Sequence, residues 1–163
     1  MLAHYHRPIC LSFISTDLPI LSTIEAGATL YERDLEKFHV LLNQPEFPQS
    51  VAEMETTDEE TQRVILTKRL LWLEISPYRA IMTMQGNGGL SYRHFWEQGI
   101  YGVSRYWLNN YNTQNSSSLR LRNFTRSLQL KGRPLPESLR VEYELWSDKV
   151  HLGHYILHLE IHH

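Results

Sequence analysis

The last ten residues of the chain constrain its fold more than any other stretch. Tyr155, Leu157, Leu159 and Ile161 alternate with His154, Ile156, His158, Glu160 and His162. Successive side chains of a β-strand point to opposite faces, so a period of two describes a strand with one apolar and one polar side. Leu139 to Trp146 has similar strand character, and Asp148 to Gly153 lies between the two runs. Together they predict a C-terminal β-hairpin.

Strand signals recur upstream. Val51 to Thr57, Arg63 to Ile75 and Tyr78 to Gln85 are rich in β-branched and large apolar residues, with turns predicted at Asp58-Glu59-Glu60 and Ser76-Pro77. Leu119 to Leu130 reads as a further strand, and Lys131-Gly132-Arg133-Pro134 as the turn after it. Two stretches read differently. Ser15-Thr16-Asp17 before Leu18-Pro19 has the form of a helix start. Leu30, Tyr31, Leu35, Phe38, Leu41 and Leu42 recur at helical spacings among charged residues, and Pro45 and Pro48 would end that helix. The expectation is one α+β domain over residues 1–163: an antiparallel sheet, N-terminal and central helices and the C-terminal hairpin. Residues 109–118, almost wholly Asn, Gln, Ser, Thr and Tyr, are expected to form a mobile polar surface loop.

A chain of 163 residues supports a single core. With a formal net charge of −2, no nucleic-acid partner is expected. Cys10 is the only cysteine, which excludes an internal disulfide or a multi-cysteine metal site and fits a reducing compartment. Met1 to Ser15 lacks the apolar run of a signal peptide or membrane span, so the expected location is cytoplasmic, with no membrane partner. Asn115-Ser116-Ser117 and Asn123-Phe124-Thr125 match the glycosylation pattern, which in a cytoplasmic chain is coincidence.

Chemistry is harder to locate. Gly86, Gly88 and Gly89 lack the Gly-Lys-Ser/Thr ending of a phosphate loop and read as a flexible connection. No Gly-x-Ser-x-Gly elbow supports a serine hydrolase, and Cys10 sits in an apolar stretch as a small buried residue would. His158, Glu160 and His162 share one strand face and carry metal-ligand chemistry. Positions i and i+4 of a strand, however, are about 13 Å apart, too far for two imidazoles to share an ion without a bulge. A polar face on which Arg140, Glu142 and Glu144 pair with these histidines is the competing reading. Arg120, Arg122, Arg126, Lys131 and Arg133 form a basic set that would either hold a small organic carboxylate or stand as a solvated strand face. Tyr92, Phe95, Trp96, Tyr101, Tyr106 and Trp107 would fill a core or line a pocket.

In the order of its elements the chain resembles the chorismate pyruvate-lyase family. Ile20 to Phe38 looks like that family's opening helical region, and Arg63 to Leu73 with Pro77 to Gln85 looks like its central hairpin. Ile100-Tyr101-Gly102 is similar to its Pro-Leu-Gly helix start, keeping the glycine. Leu139 to Glu160 looks like the closing hairpin that carries a catalytic glutamate. The resemblance implies a cofactor-independent carbon–oxygen lyase, with neither metal nor organic cofactor, that releases pyruvate from chorismate. Glu160 would be its acid, and Arg120, Arg122, Tyr101, Gly102 and Trp107 would hold the substrate. The strand Ala80 to Met84 lacks the arginine that the family uses as an anchor, so anchoring would fall to Arg120 or Arg122.

Two readings follow. One is an enzyme or binding protein for a small aromatic carboxylate. The other is a noncatalytic interaction or assembly domain, because aromatics and arginine are enriched at interfaces as well. A long exposed final strand would also be a template for pairing with a second protomer, leaving a homodimer or another protein partner open.

Overall fold

A computed structural model of the chain describes residues 3–18, 21–42, 46–47, 67–68, 70–86, 90–108 and 117–163. They contain twelve strands and no helix. The α+β expectation is therefore corrected to an all-β fold.

Ten strands close into an antiparallel barrel: β1 (His4–Ser15), β2 (Leu21–Asp34), β3 (Lys37–Leu42), β6 (Leu70–Ile75), β7 (Arg79–Gln85), β8 (Leu90–Glu97), β9 (Tyr101–Leu108), β10 (Ser117–Lys131), β11 (Ser138–Ser147) and β12 (Val150–Ile161). Each pairs with its neighbour in this order, and β12 pairs back onto β1, Leu159 opposite Leu11. A small ribbon, β4 (Glu46–Phe47) with β5 (Thr67–Lys68), interrupts the meander between β3 and β6. Closure leaves none of the ten strands with a free edge. The final strand is held between β1 and β11, so edge pairing with a second protomer through β12 is not available.

The inward residues account for the closure. Leu139, Val141, Tyr143 and Leu145 of β11 are buried, as are Leu157, Leu159 and Ile161 of β12. The residues alternating with them lie outward, so the C-terminal hairpin forms as its period of two requires. The turn after Leu130 and the reversal at Ser76-Pro77 also fall where the sequence places them.

The expected helices fail for identifiable reasons. Phe38, Val40 and Leu42 are buried at a period of two, and Ala28 and Leu30 are buried two apart on the strand paired with them. The helical spacing of Leu30 to Leu42 therefore joins two strands across a hairpin whose turn contains Glu36 at φ 62°. The capping signal at Ser15 serves a turn instead. Ser15 Oγ accepts from the Leu18 amide at 3.2 Å, and the Asp17 carboxylate accepts from the His154 amide at 2.8 Å, fastening the β1–β2 corner to β12. No helix among the described residues is long and apolar enough to cross a membrane.

The strand expected at Val51 to Thr57, its turn at Asp58-Glu59-Glu60, residues 63–66, the glycines Gly88 and Gly89, and residues 109–116 lie outside the described residues. Ser117 and Ser118, read as loop, begin β10 and pair with Leu108 and Trp107.

Candidate functional site

The barrel interior divides into two chemistries. Along β2, β3 and β6 it is lined by apolar side chains, Leu30, Phe38, Val40, Leu73 and Ile75 among them. The wall formed by β8 to β12 carries buried aromatic and polar side chains, His94, Trp96, Ser104, Asn123, Thr125 and Tyr143 among them.

This wall is built around His94, which is 3% exposed. Its ring stacks on Trp96, with centroids 5.0 Å apart and planes 6° from parallel. Tyr106 meets it edge-on at 5.4 Å, and Tyr92 and Tyr143 lie 5.3 and 5.9 Å away. Beyond Tyr143 the rings continue to Tyr155 and Phe13.

Hydrogen bonds tie these side chains together. The wholly buried Asn123 donates from Nδ2 to the Phe95 carbonyl at 3.0 Å and to Ser104 Oγ at 2.8 Å. Ser104 Oγ also lies 2.7 Å from His94 Nδ1. The other ring nitrogen, Nε2, faces the Tyr106 hydroxyl at 3.4 Å.

Burial sets the charge state. Desolvation lowers the His94 pKa from 6.5 to about 3, so the ring is neutral at physiological pH. Desolvation also raises the Tyr143 and Tyr106 hydroxyls well above the ordinary phenol value, with smaller contributions from neighbouring tyrosines. The described interior buries no Lys, Arg, Asp or Glu. Among the described residues, the Tyr143 hydroxyl, Trp96 Nε1, Thr125 Oγ1 and Asn123 Oδ1 are buried without a hydrogen-bond partner. Most of these are donors on one wall. An uncharged acceptor is the chemistry that fits them.

The residues singled out from the sequence separate across the wall. Tyr92 and Trp96 point inward, as does position 102. Tyr101 and Trp107, of opposite parity on β9, point outward. Tyr101, Gly102, Arg120 and Arg122 do meet, around an outer depression of about 410 Å³ whose rim includes Asp148. Arg122 lies over the Tyr101 ring at 4.6 Å. Of the basic set, Arg126 pairs with Glu144 at 3.1 Å and Arg133 with Glu36 at 2.8 Å.

Glu160 is elsewhere. It lies on the outer face of β12 opposite Cys10 and Ser138, half exposed, 3.3 Å from His158. Ser138 pairs with Lys131, nine residues along β10 from Arg122, so Glu160 and the arginines are roughly 30 Å apart. The desolvated surroundings that a carboxyl acid needs are not found there. His158, Glu160 and His162 all lie outward, and no three His, Cys, Asp or Glu residues among those described converge on one point. The neighbouring His154 pairs with Glu142 at 2.9 Å, the cross-hairpin pairing expected of a polar face. Cys10 is half-buried on the outside of the barrel and does not enter the core.

His94, Ser104, Asn123, Tyr143 and Tyr155 were not singled out as site residues from sequence. The period of two places His94 on the face of Tyr92 and Trp96, which is the signal by which it could have been found.

No protein-family model and no curated protein matches the chain. Among solved structures, the crystal structure of the ywiB protein from Bacillus subtilis matches with a TM-score of 0.54 and 14% identity, covering 97% of this chain and 94% of that one. At that identity the likeness is one of fold: the chain is similar to ywiB as a barrel over nearly its whole length.

Proposed function

We propose that the protein binds a small, uncharged aromatic compound on the polar aromatic wall of its barrel. The supporting observation is the Tyr143 hydroxyl, buried and without a hydrogen-bond partner among the described residues, beside a neutral His94. An unmet buried donor costs about 1–3 kcal/mol, and a ligand acceptor recovers it. Tyr92, Tyr106 and Tyr155 offer rings for stacking. An aromatic carboxylate meets this wall only through its ring, because no buried cation stands ready to compensate the charge. Phenols, aryl ketones and similar acceptors fit it better.

The test is calorimetric titration of the protein with matched pairs of uncharged and carboxylated aromatics, beside Tyr143→Phe. The expectation is saturable binding of uncharged compounds, weakened about tenfold in the variant, as the loss of one buried hydrogen bond of roughly 1.4 kcal/mol implies. Preference for the carboxylates, or identical affinities in the two proteins, refutes the reading.

A further inference from the structure

The outside of the barrel carries a feature that the interior does not explain. Strand register sets Arg93 of β8 directly opposite Arg105 of β9, and Arg105 directly opposite Arg120 of β10. Neighbouring strands lie about 4.8 Å apart, so three guanidinium stems stand in one row across roughly 10 Å. Like charges facing each other across a sheet are destabilising. The row is poorly neutralised: Arg93 has Glu74 at 3.9 Å, and neither Arg105 nor Arg120 has an ion-pair partner among the described residues. Arg122, two residues along β10, adds a fourth cation and is fixed in place, donating to the Asp148 carbonyl at 3.3 Å.

Aromatic rings alternate with these cations. Arg105 lies 5.8 Å from the Trp107 ring and Arg122 4.6 Å from that of Tyr101, which is 55% exposed. The surface is open apart from the shallow depression beside Tyr101. A small anion would remain hydrated and screened on such a face. A flexible polymer with repeating phosphates and flat bases matches both the cations and the rings. We propose that the outer face of β8, β9 and β10 binds single-stranded nucleic acid, its phosphates over Arg93, Arg105, Arg120 and Arg122 and its bases against Trp107 and Tyr101. The formal net charge of −2 averages this face with the Glu142, Glu144 and Glu160 of β11 and β12, so the charge sum conceals it.

Fluorescence polarisation of the full chain with a labelled single-stranded RNA of roughly 12 nucleotides tests the proposal. Binding is expected at low salt. Arg105→Gln with Arg120→Gln should weaken it at least tenfold and reduce the slope of log affinity against log salt by about 0.7 for each arginine removed. The same double variant should melt no lower than the parent, because it relieves a row of like charges. Trp107→Ala should weaken RNA binding roughly tenfold while leaving inorganic polyphosphate binding unchanged. Absence of binding at low salt overturns the proposal. So does RNA binding indifferent to Trp107→Ala, which would mark a general polyanion surface, and so does an acidic peptide that outcompetes RNA, which would mark a protein interface.

Discussion

His94 lies flat on Trp96, the two ring centroids 5.0 Å apart, with neither side chain appreciably exposed. Burial strips water from the ring and disfavours its charged form, and its pKa falls from 6.5 to about 3. Between those values the unfolded chain binds a proton that the native chain does not. Stability then rises with pH through this window, and His94 contributes its full share only above pH 6.5. As pH falls from 6.5 towards 3, about 1.4 kcal/mol is lost per pH unit on account of this one ring. Urea unfolding at a series of pH values checks this. His94→Gln should flatten the slope between pH 6 and 4 relative to the parent, and parallel slopes would contradict it.

Tyr143 and Tyr106 should show the complementary behaviour in alkali. Burial favours the protonated phenol, so both pKa values are raised in the folded state. Above pH 10 the unfolded chain releases these protons first, and stability falls as pH rises. Ultraviolet titration of the nine tyrosines should leave a fraction that ionises only as the barrel unfolds. Removing Tyr143 and Tyr106 together, as Phe, should abolish that late fraction.

The C-terminal hairpin was legible because Leu157, Leu159 and Ile161 face one interior and His158 and Glu160 face outside, so local pattern and tertiary environment agree. The first half was misread because Leu30 and Phe38, on two different strands of a hairpin, happen to fall at spacings that also suit a helix; residue periodicity does not reveal where a turn divides it. Of the elements that resemble the chorismate pyruvate-lyases, the opening helical region and the helix start at Gly102 are strands here. The candidate site was half legible. Tyr92 and Trp96 reach it, whereas Tyr101 and Trp107 do not, since one residue of register on β9 decides which face a ring joins. Of the row of arginines, Arg120 with Arg122 beside it was legible as a basic set, but Arg93 and Arg105 were not, because the three strands meet in an alignment no local pattern encodes.

Gly102 is held by space. A Cβ there would press on the Phe95 carbonyl and stand 3.0 Å from Asn123 Oδ1, both fixed in the barrel wall. Gly102→Ala should destabilise the protein by about 1–3 kcal/mol. Gly99→Ala offers a comparison: nothing lies within 4 Å of its Cβ, and its cost comes from a φ of 75° alone. Thermal unfolding of the two variants separates the causes. The Gly102 variant should also perturb the near-ultraviolet circular dichroism of Trp96 on the neighbouring strand, and the Gly99 variant should not.

Ser104 and Asn123 form one network, since the serine accepts from Asn123 at 2.8 Å and meets His94 at 2.7 Å. Ser104→Ala leaves His94 Nδ1 and one Asn123 donor without their partner. Asn123→Ala leaves the Phe95 carbonyl without that donor and frees Ser104 to turn. Each change should cost about 1–3 kcal/mol, the penalty of leaving a buried polar group unmet. Once one partner is gone, the second deletion has less left to break. The double variant should therefore be more stable than the sum of the single effects implies, by about 0.5–3 kcal/mol. Strict additivity in urea unfolding would mean that the two residues act separately and that no common network runs from Asn123 to His94.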